Sequence, residues 1–290
     1  MNRRGILSRL RRLSDGPPHG EHGAPRPHDD DEAWLRPVLG TDLRPFVPPR
    51  HLWVGPGDPF IHFFRWPWEF RSYLVVLCGL RRDASVLELG CSHGRTMLGL
   101  LDYLRPPGRY EGLDILAPQI EFAQHAISSA FPHFNFTLAD IHSPVYNPAG
   151  SASADAYAFP YPDATFDVAY AASLFSHLVP DATRNYLLQT RRVLKPGGQC
   201  LFSFFALDHY RGPGTSVAPL YEFNHPYPSD SQVAVHDPAV PEQLIAYRTA
   251  RLEQLAADAG LTLERVLPGY WSNTPASCVN EHDLALLRAR

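Results

Sequence analysis

Acidic side chains recur along this chain, each at the point where a short apolar run ends. Glu88 lies in the first of these runs, Asp114 follows the second, and Asp140 follows the third. A carboxylate accepts hydrogen bonds from hydroxyl, amino and main-chain N–H groups. A single acid after a strand is usually a turn or cap residue. Three acids on successive strand ends are harder to explain as separate turn residues and instead favour a common binding site.

The first apolar run ends in a glycine turn, with Gly90, Cys91, Ser92 and Gly94 in the segment ELGCSHG. Glycine lets the main chain approach a ligand closely, and the start of the following helix offers free N–H groups to an anion. Ser92 fits such a turn if its φ is negative, although its side chain narrows the approach. We therefore expect this turn to contact the ligand directly.

Two further polar residues, Ser173 and His177, follow the fourth apolar run. Ser173 ends the predicted fourth strand and is expected at the same edge of the sheet as the acids. His177 is the candidate catalytic residue, since an imidazole titrates near neutral pH and can take a proton from an acceptor. A packing or capping role fits His177 equally well, and both interpretations stay open at this point.

The elements that must position these residues alternate between strand and helix patterns, which is typical of stacked βαβ units. The predicted strands are residues 85–89, 110–113, 135–139, 166–172, 199–205, 261–267 and 283–288, and the predicted helices are residues 93–104, 118–130, 180–194 and 241–259. This pattern predicts an α/β fold with a doubly wound, mostly parallel, seven-stranded sheet. In such sheets ligands bind beyond the carboxyl ends of the strands, where the candidate residues lie.

The predicted organisation is one domain, residues 46–290, behind a disordered leader, residues 1–45. The leader begins with an arginine-rich segment and continues rich in Pro, Gly, His and Asp, so it cannot bury enough apolar surface to order itself. Organelle targeting and a weak membrane contact are the alternatives for its basic start. Residues 46–84 are predicted to form an aromatic cap, and residues 142–162 and 206–241 are predicted insertions that shape an acceptor site.

Bulk composition excludes several function classes for the 290 residues. The net charge of −4 gives no field for nucleic acid. The four cysteines are scattered without metal-like pairing, which favours reduced thiols in a cytoplasmic protein and no metal site. The longest apolar run is far shorter than the roughly 20 residues of a membrane-spanning helix. We expect no membrane span and make no prediction of the oligomeric state.

The segment VLELGCSHGRT, residues 86–96, resembles the first motif of the class I S-adenosylmethionine-dependent methyltransferases. The similarity continues through residues 111–114, 138–141, 159–167 and 192–198 and covers most of the chain. The chain departs from the motif at Ser92, where the family pattern has a glycine.

The resemblance implies a cofactor site for S-adenosylmethionine, with one role for each matching residue. The glycine turn would hold the methionine part, Glu88 the amino end, and Asp114 the ribose hydroxyls. Asp140 and the main chain of Ile141 would hold the adenine, and Ser173 would lie near the sulfonium. The full predicted cofactor set is Glu88, Gly90, Cys91, Ser92, Gly94, Asp114, Ile115, Asp140, Ile141 and Ser173.

The function implied is methyl transfer to an oxygen or nitrogen of a small-molecule acceptor, such as a sugar or natural-product intermediate. One alternative is a scaffold that binds S-adenosylmethionine without catalysis. The other is an NAD-dependent oxidoreductase, which shares a glycine turn and an acid after the second strand. Its Gly-x-Gly-x-x-Gly fingerprint fails at Ser92, and Gly94 comes one position early.

Overall fold

The structure is a computed structural model that describes residues 43–53, 59–210, 220–272, 278 and 280–290. Almost all of the predicted leader, and parts of the aromatic cap and of the second insertion, therefore lie outside the described residues. The account below concerns the residues from 45 onward.

A seven-stranded sheet forms the centre of the molecule, in the order β3-β2-β1-β4-β5-β10-β9. Its strands are β1 (Ser85–Leu89), β2 (Arg109–Asp114), β3 (Phe134–Leu138), β4 (Phe166–Ala171), β5 (Leu194–Phe204), β9 (Leu261–Leu267) and β10 (Asp283–Ala289). The first five run parallel, and β10 is antiparallel to both of its neighbours. This confirms the predicted fold class. The chain reverses its strand order at β1 and β4, whose carboxyl ends therefore border the crevice where such sheets bind ligands.

Helices cover the sheet: α1 (Pro59–Leu77), α2 (Ala117–Ala123), α3 (Pro180–Val193) and α4 (Thr249–Asp258). A π-helical turn, Gln124–Ser128, continues α2, and short 3₁₀ turns lie at Arg44–Phe46, Arg50–Leu52, Thr96–Leu100, Phe175–His177, Pro241–Gln243 and Tyr270–Ser272. Proline starts α3 at its first position, where the missing N–H costs nothing. No helix among the described residues is both long and apolar enough to span a membrane.

Two predicted helices differ from the structure. Residues 93–104 form turns and the 3₁₀ segment Thr96–Leu100 in place of a regular helix. Gly94 takes a positive φ of 84° there, and Gly99 sits so close to the backbone of α1 that an added Cβ would lie 2.2 Å from the Pro67 carbonyl oxygen. The segment is thus shaped by its packing against α1 and the sheet more than by its helical pattern.

The helix predicted for residues 241–259 begins only at Thr249. Its first part is the 3₁₀ turn Pro241–Gln243 followed by a strand, β8 (Ile245–Tyr247). β8 joins β6 (His225–Tyr227) and β7 (Asp230–Val235) in a three-stranded antiparallel sheet of order β6-β7-β8. Because this pairing buries all three β8 side chains, strand formation prevails over the local helical pattern.

The first predicted insertion packs on α3 through main-chain acceptors. The Asn185 amide donates to the carbonyls of Ala154 and Tyr157, both at 2.9 Å. The Arg192 guanidinium donates to the carbonyls of Phe159 and Tyr161, both at 2.8 Å. These bonds fix the segment beside the carboxyl ends of the strands.

Candidate active site

A cavity of about 540 Å³ lies at the carboxyl ends of β1, β2 and β4. This volume falls within the usual range of small-molecule sites. Of the predicted site residues, the cavity is lined by Glu88, Gly90, Cys91, Ser92, Asp114, Ile115, Ile141, Ser173 and His177. The sequence therefore located the cavity, with two exceptions, Gly94 and Asp140.

The glycine turn crosses this cavity in left-handed backbone conformations. Gly90 has a φ of 75° and Ser92 a φ of 49°, so the negative φ under which a serine fits the turn without strain is not met. A non-glycine residue in this region costs free energy and persists where surrounding structure holds it. Here the carboxylate of Asp114 accepts the Ser92 main-chain N–H at 2.7 Å, which fixes the turn. The Ser92 Oγ is buried and has no hydrogen-bond partner within the described part of the chain.

Gly94 serves packing in this structure. Its added Cβ would lie 2.9 Å from Ile127 Cδ1 and 3.1 Å from Phe136 Cε1. Real Cβ atoms do not approach neighbours this closely without displacing them. The residue lets the turn lie against the π-helical turn and β3, outside the cavity wall.

Asp114 ends β2 and points its carboxylate at the glycine turn. One oxygen accepts the Ser92 N–H, and the other accepts the N–H of Leu116 at 2.9 Å. Burial raises the pKa of the carboxyl group, and these main-chain donors oppose that shift. Each oxygen keeps a second lone pair, so the carboxylate can still accept two hydroxyl groups of a ligand.

Glu88 is enclosed by hydroxyl groups. Its carboxylate accepts O–H donors from Thr96, from Tyr110 at 2.5 Å and from Tyr170 at 2.6 Å. Burial raises the pKa of Glu88 to about 7, although the three donors favour the charged form. The residue lines the cavity, but the protein already supplies most of its hydrogen bonds.

The end of β4 contributes Ser173 in a second strained conformation, with a φ of 66°. The hydroxyl of Ser203 on β5 accepts its main-chain N–H at 2.5 Å. Positive φ at non-glycine residues is found within the described residues at Ser92, Ser173 and Ala164, and two of these three line the cavity. Such strain is often concentrated at functional sites.

His177 lies in the 3₁₀ turn Phe175–His177 just beyond β4 and lines the cavity. Its Nδ1 is 3.1 Å from the main-chain oxygen of Glu242, and a carbonyl can only accept, so Nδ1 carries the proton of the neutral ring. The Nε2 lone pair is then available, with the Tyr146 hydroxyl 3.5 Å away. Burial lowers the pKa of His177, which keeps the imidazole neutral and able to take a proton.

Asp140 lies outside the cavity wall. The residue is exposed, and its carboxylate accepts the N–H of Ser151 at 3.3 Å and the Ser151 hydroxyl. Its neighbours Ala139 and Ile141 line the cavity instead. The position of Asp140 therefore does not support its expected contact with an adenine edge. Ile141 lines the cavity, and its contact with adenine stays a prediction.

Several charged or titratable residues of the cavity wall were not among the predicted site residues, including Arg95, Glu242, Glu281 and His282. The Arg95 guanidinium lies 4.4 Å from the Trp66 ring centroid, and burial lowers its pKa to about 10. Burial also lowers the pKa of His282 to about 4, so this ring is neutral. Arg95 directly follows Gly94 of the glycine turn, and this adjacency is the sequence signal for it. For the other three no spacing signal exists, because they come from loops after the second insertion and before β10.

The geometry supports binding and proton transfer in one enclosed space. Among the described residues no group of three or more His, Cys, Asp and Glu side chains is arranged to hold a metal ion. The cavity instead offers carboxylate acceptors, a strained glycine turn and the neutral imidazoles of His93, His177 and His282. These groups suit an organic ligand with hydroxyl and amino groups.

Comparison with known proteins finds that part of this chain matches a protein-family model. A model described as a methyltransferase domain matches residues 87–202. A curated relative, an uncharacterized 37.1 kDa protein in transposon TN4556 of Streptomyces fradiae, is 27% identical over 200 residues, which cover 69% of this chain and 50% of the relative. The chain thus matches about half the length of that relative.

Solved structures with a similar fold include two that cover most of this chain. The CcbJ methyltransferase from Streptomyces caelestis superimposes with a TM-score of 0.50 at 19% identity, over 77% of this chain and 90% of that protein. The PH0226 protein from Pyrococcus horikoshii OT3 gives a TM-score of 0.52 at 17% identity, over 81% and 92%. At these identities the likeness establishes the fold.

Proposed function

Because this chain contains a domain of the class I S-adenosylmethionine-dependent methyltransferase family, we propose that it transfers a methyl group to an oxygen or nitrogen of a small-molecule acceptor. The observation that carries the proposal is the cavity at the carboxyl ends of β1, β2 and β4, where Asp114 and the glycine turn lie within hydrogen-bond reach of the same space as His177. Sugar or natural-product intermediates are the acceptors we favour.

The residues present fit S-adenosylmethionine. Asp114 has free lone pairs for two ribose hydroxyls, and the buried Ser92 Oγ, which no described residue contacts by a hydrogen bond, is an unused donor and acceptor at the turn. Ile115 and Ile141 offer apolar contact for the adenine, and Gly90, Cys91 and Ser173 complete the wall. When bound, this group supplies an electrophilic methyl on a sulfonium.

The chain itself supplies orientation, exclusion of water and a proton acceptor. Transfer between two bound reactants gains most from holding them aligned in a dry pocket. His177 Nε2 takes the proton of the acceptor, because Nδ1 is committed to the Glu242 carbonyl. Tyr146, from the first insertion, lies beside this imidazole and helps to close the pocket.

The experiment is calorimetric binding of S-adenosylmethionine and of its demethylated product, S-adenosylhomocysteine, to the full chain. Asp114→Asn is expected to weaken both by about 100-fold, since two hydrogen bonds to a charged group at about 1.5 kcal/mol each are affected. Binding of NADH in place of these compounds would overturn the proposal in favour of an oxidoreductase.

Asp140→Ala is the matched comparison, because it removes the same group from the end of the next strand. We expect its affinity to stay within about threefold of the wild type, as its carboxylate bonds to Ser151 and lies off the cavity wall. Formation of S-adenosylhomocysteine with a panel of alcohols and amines then separates an enzyme from a binding scaffold. Binding without turnover on any of them would favour the scaffold.

A further inference from the structure

The four carboxylates that line the cavity differ in how fully the protein satisfies them. Glu88 accepts three hydroxyl groups, Asp114 two main-chain N–H groups, and Glu281 the hydroxyl of Tyr221 at 2.8 Å. The side-chain carboxylate of Glu242 has neither a hydrogen bond nor an ion pair with any described residue, and its Oε2 is buried. A buried acceptor without a donor costs free energy unless a ligand supplies one.

Glu242 is tied to the candidate base. It lies in the 3₁₀ turn Pro241–Gln243, and its main-chain oxygen accepts the Nδ1 proton of His177. The same residue therefore orients the imidazole through its backbone and presents a free carboxylate through its side chain. The His177 imidazole and Glu242 both line the cavity, so one bound ligand can contact the two residues.

The charge of the cavity wall favours a cation. Four carboxylates line the cavity, and Arg95 is the single Lys or Arg among the described lining residues, while burial holds His93, His177 and His282 neutral. The remaining lining imidazole, that of His142, acts on Glu242 by favouring its charged form. Burial also raises the pKa of Glu242. A bound ammonium would reverse that shift by favouring the charged carboxylate.

We propose that the methyl acceptor is an amine, whose ammonium form is bound by the carboxylate of Glu242 beside His177. This inference rests on the proposed methyl transfer and selects nitrogen over oxygen within it. The acceptor R–NH₃⁺ gives one proton to His177 Nε2. Its nitrogen lone pair then forms the bond to the methyl carbon while the carbon–sulfur bond breaks and its electron pair stays on sulfur, which yields R–NH₂⁺–CH₃ and S-adenosylhomocysteine.

The test compares amines with alcohols of the same shape by calorimetry, using benzylamine against benzyl alcohol and cyclohexylamine against cyclohexanol, with and without S-adenosylhomocysteine. A charge-assisted hydrogen bond predicts that the wild type binds each amine at least about tenfold more tightly than its alcohol. Glu242→Gln should reduce this preference to under about threefold, while affinity for S-adenosylhomocysteine stays within about threefold. Glu253→Gln, an exposed acid on α4, is the control and should keep the preference.

Three results overturn the proposal. In the first, the wild type binds the alcohols as tightly as the amines, or binds neither. Glu242→Gln keeps the amine preference. Glu242→Gln loses affinity for S-adenosylhomocysteine by tenfold or more, which would assign the carboxylate to the amino group of the methyl donor. Failure of the proposed function itself is distinguishable from these results, because the wild type would then not bind S-adenosylhomocysteine even before any amine is added.

Discussion

The ends of β1 and β2 and the turn Pro241–Gln243 border the same cavity, but they differ in whether the protein supplies hydrogen-bond donors to their carboxylates. Glu88 and Asp114, at the strand ends, are held by hydroxyl and main-chain donors that the fold itself provides. Glu242, in the turn, presents its carboxylate with no donor from the described residues. The strand ends are thus organised before any ligand binds, whereas the turn is completed by a ligand.

This difference follows from the elements that carry the residues. A carboxylate at a strand end lies among neighbouring strands, which bring Tyr110 and Tyr170 to Glu88 from β2 and β4. A loop turn has few neighbours, so it leaves a charge unpaired more easily. Rigid strand ends suit the binding of a ligand whose structure is constant, such as a cofactor. Loops suit the binding of the substrate, because they determine specificity.

Replacing Glu88 or Glu242 by leucine should give the largest difference, which is a difference in the free energy of unfolding. Glu88→Leu leaves three buried hydroxyl groups without their acceptor. At about 1–3 kcal/mol for each unsatisfied group, this should lower the free energy of unfolding by about 3–9 kcal/mol. Glu242→Leu removes a carboxylate with no hydrogen-bond or salt-bridge partner among the described residues, and should leave stability within about 0.5 kcal/mol or raise it. Urea unfolding without ligand measures both.

Equal losses in the two leucine variants would contradict the comparison, because they would mean that Glu242 has a stabilising partner in solution. Thr96→Val serves as an intermediate control. It deletes one of the three donors to Glu88 and should cost about 1 kcal/mol.

The pH dependence of stability gives the next contrast. The pKa of Glu88 is raised from 4.5 to about 7 in the folded protein, so between these values the folded state binds more protons than the unfolded state. Its contribution is fully present below pH 4.5 and is lost as the pH rises through 7, a decrease on the order of 3 kcal/mol. Glu88→Gln, which cannot titrate, should remove this part of the decrease in urea unfolding between pH 5 and pH 8.

His209 changes stability in the same direction, so the wild type must be compared with the variant. The Asp283 carboxylate raises the pKa of this histidine, and its stabilisation is likewise lost as the pH rises. The difference between wild type and Glu88→Gln cancels that background. A pH profile that is the same in both proteins would show that Glu88 is ionised throughout.

The strand ends were predictable from sequence because apolar runs, glycines and acids are local signals. β1 and the acids Glu88 and Asp114 lie where the pattern placed them. Strand β8 was mistaken for helix, since Ile245 and Tyr247 are buried only through pairing with β7. Glu242 was missed for the same reason: its role depends on His177, 65 residues away in sequence, and no local pattern records that contact.

Ser92 differs from Glu88 and Asp114, because its side chain has no hydrogen-bond partner among the described residues although it follows a strand end. Substitutions at Ser92 have the smallest expected effect of those compared. Its φ of 49° is matched by Ala164, which lies off the cavity wall with the same φ, so glycine at either position should relieve strain and raise stability by about 0.5–1 kcal/mol. Only Ser92→Gly also removes a buried hydroxyl that no described residue contacts. If that hydroxyl binds the ligand, Ser92→Gly weakens S-adenosylhomocysteine binding by about 3- to 10-fold, the value of one hydrogen bond, while Ala164→Gly leaves it unchanged. Equal affinity in both variants would mean that Ser92 contributes only its backbone, held by Asp114, and that its side chain is tolerated in the turn without being used.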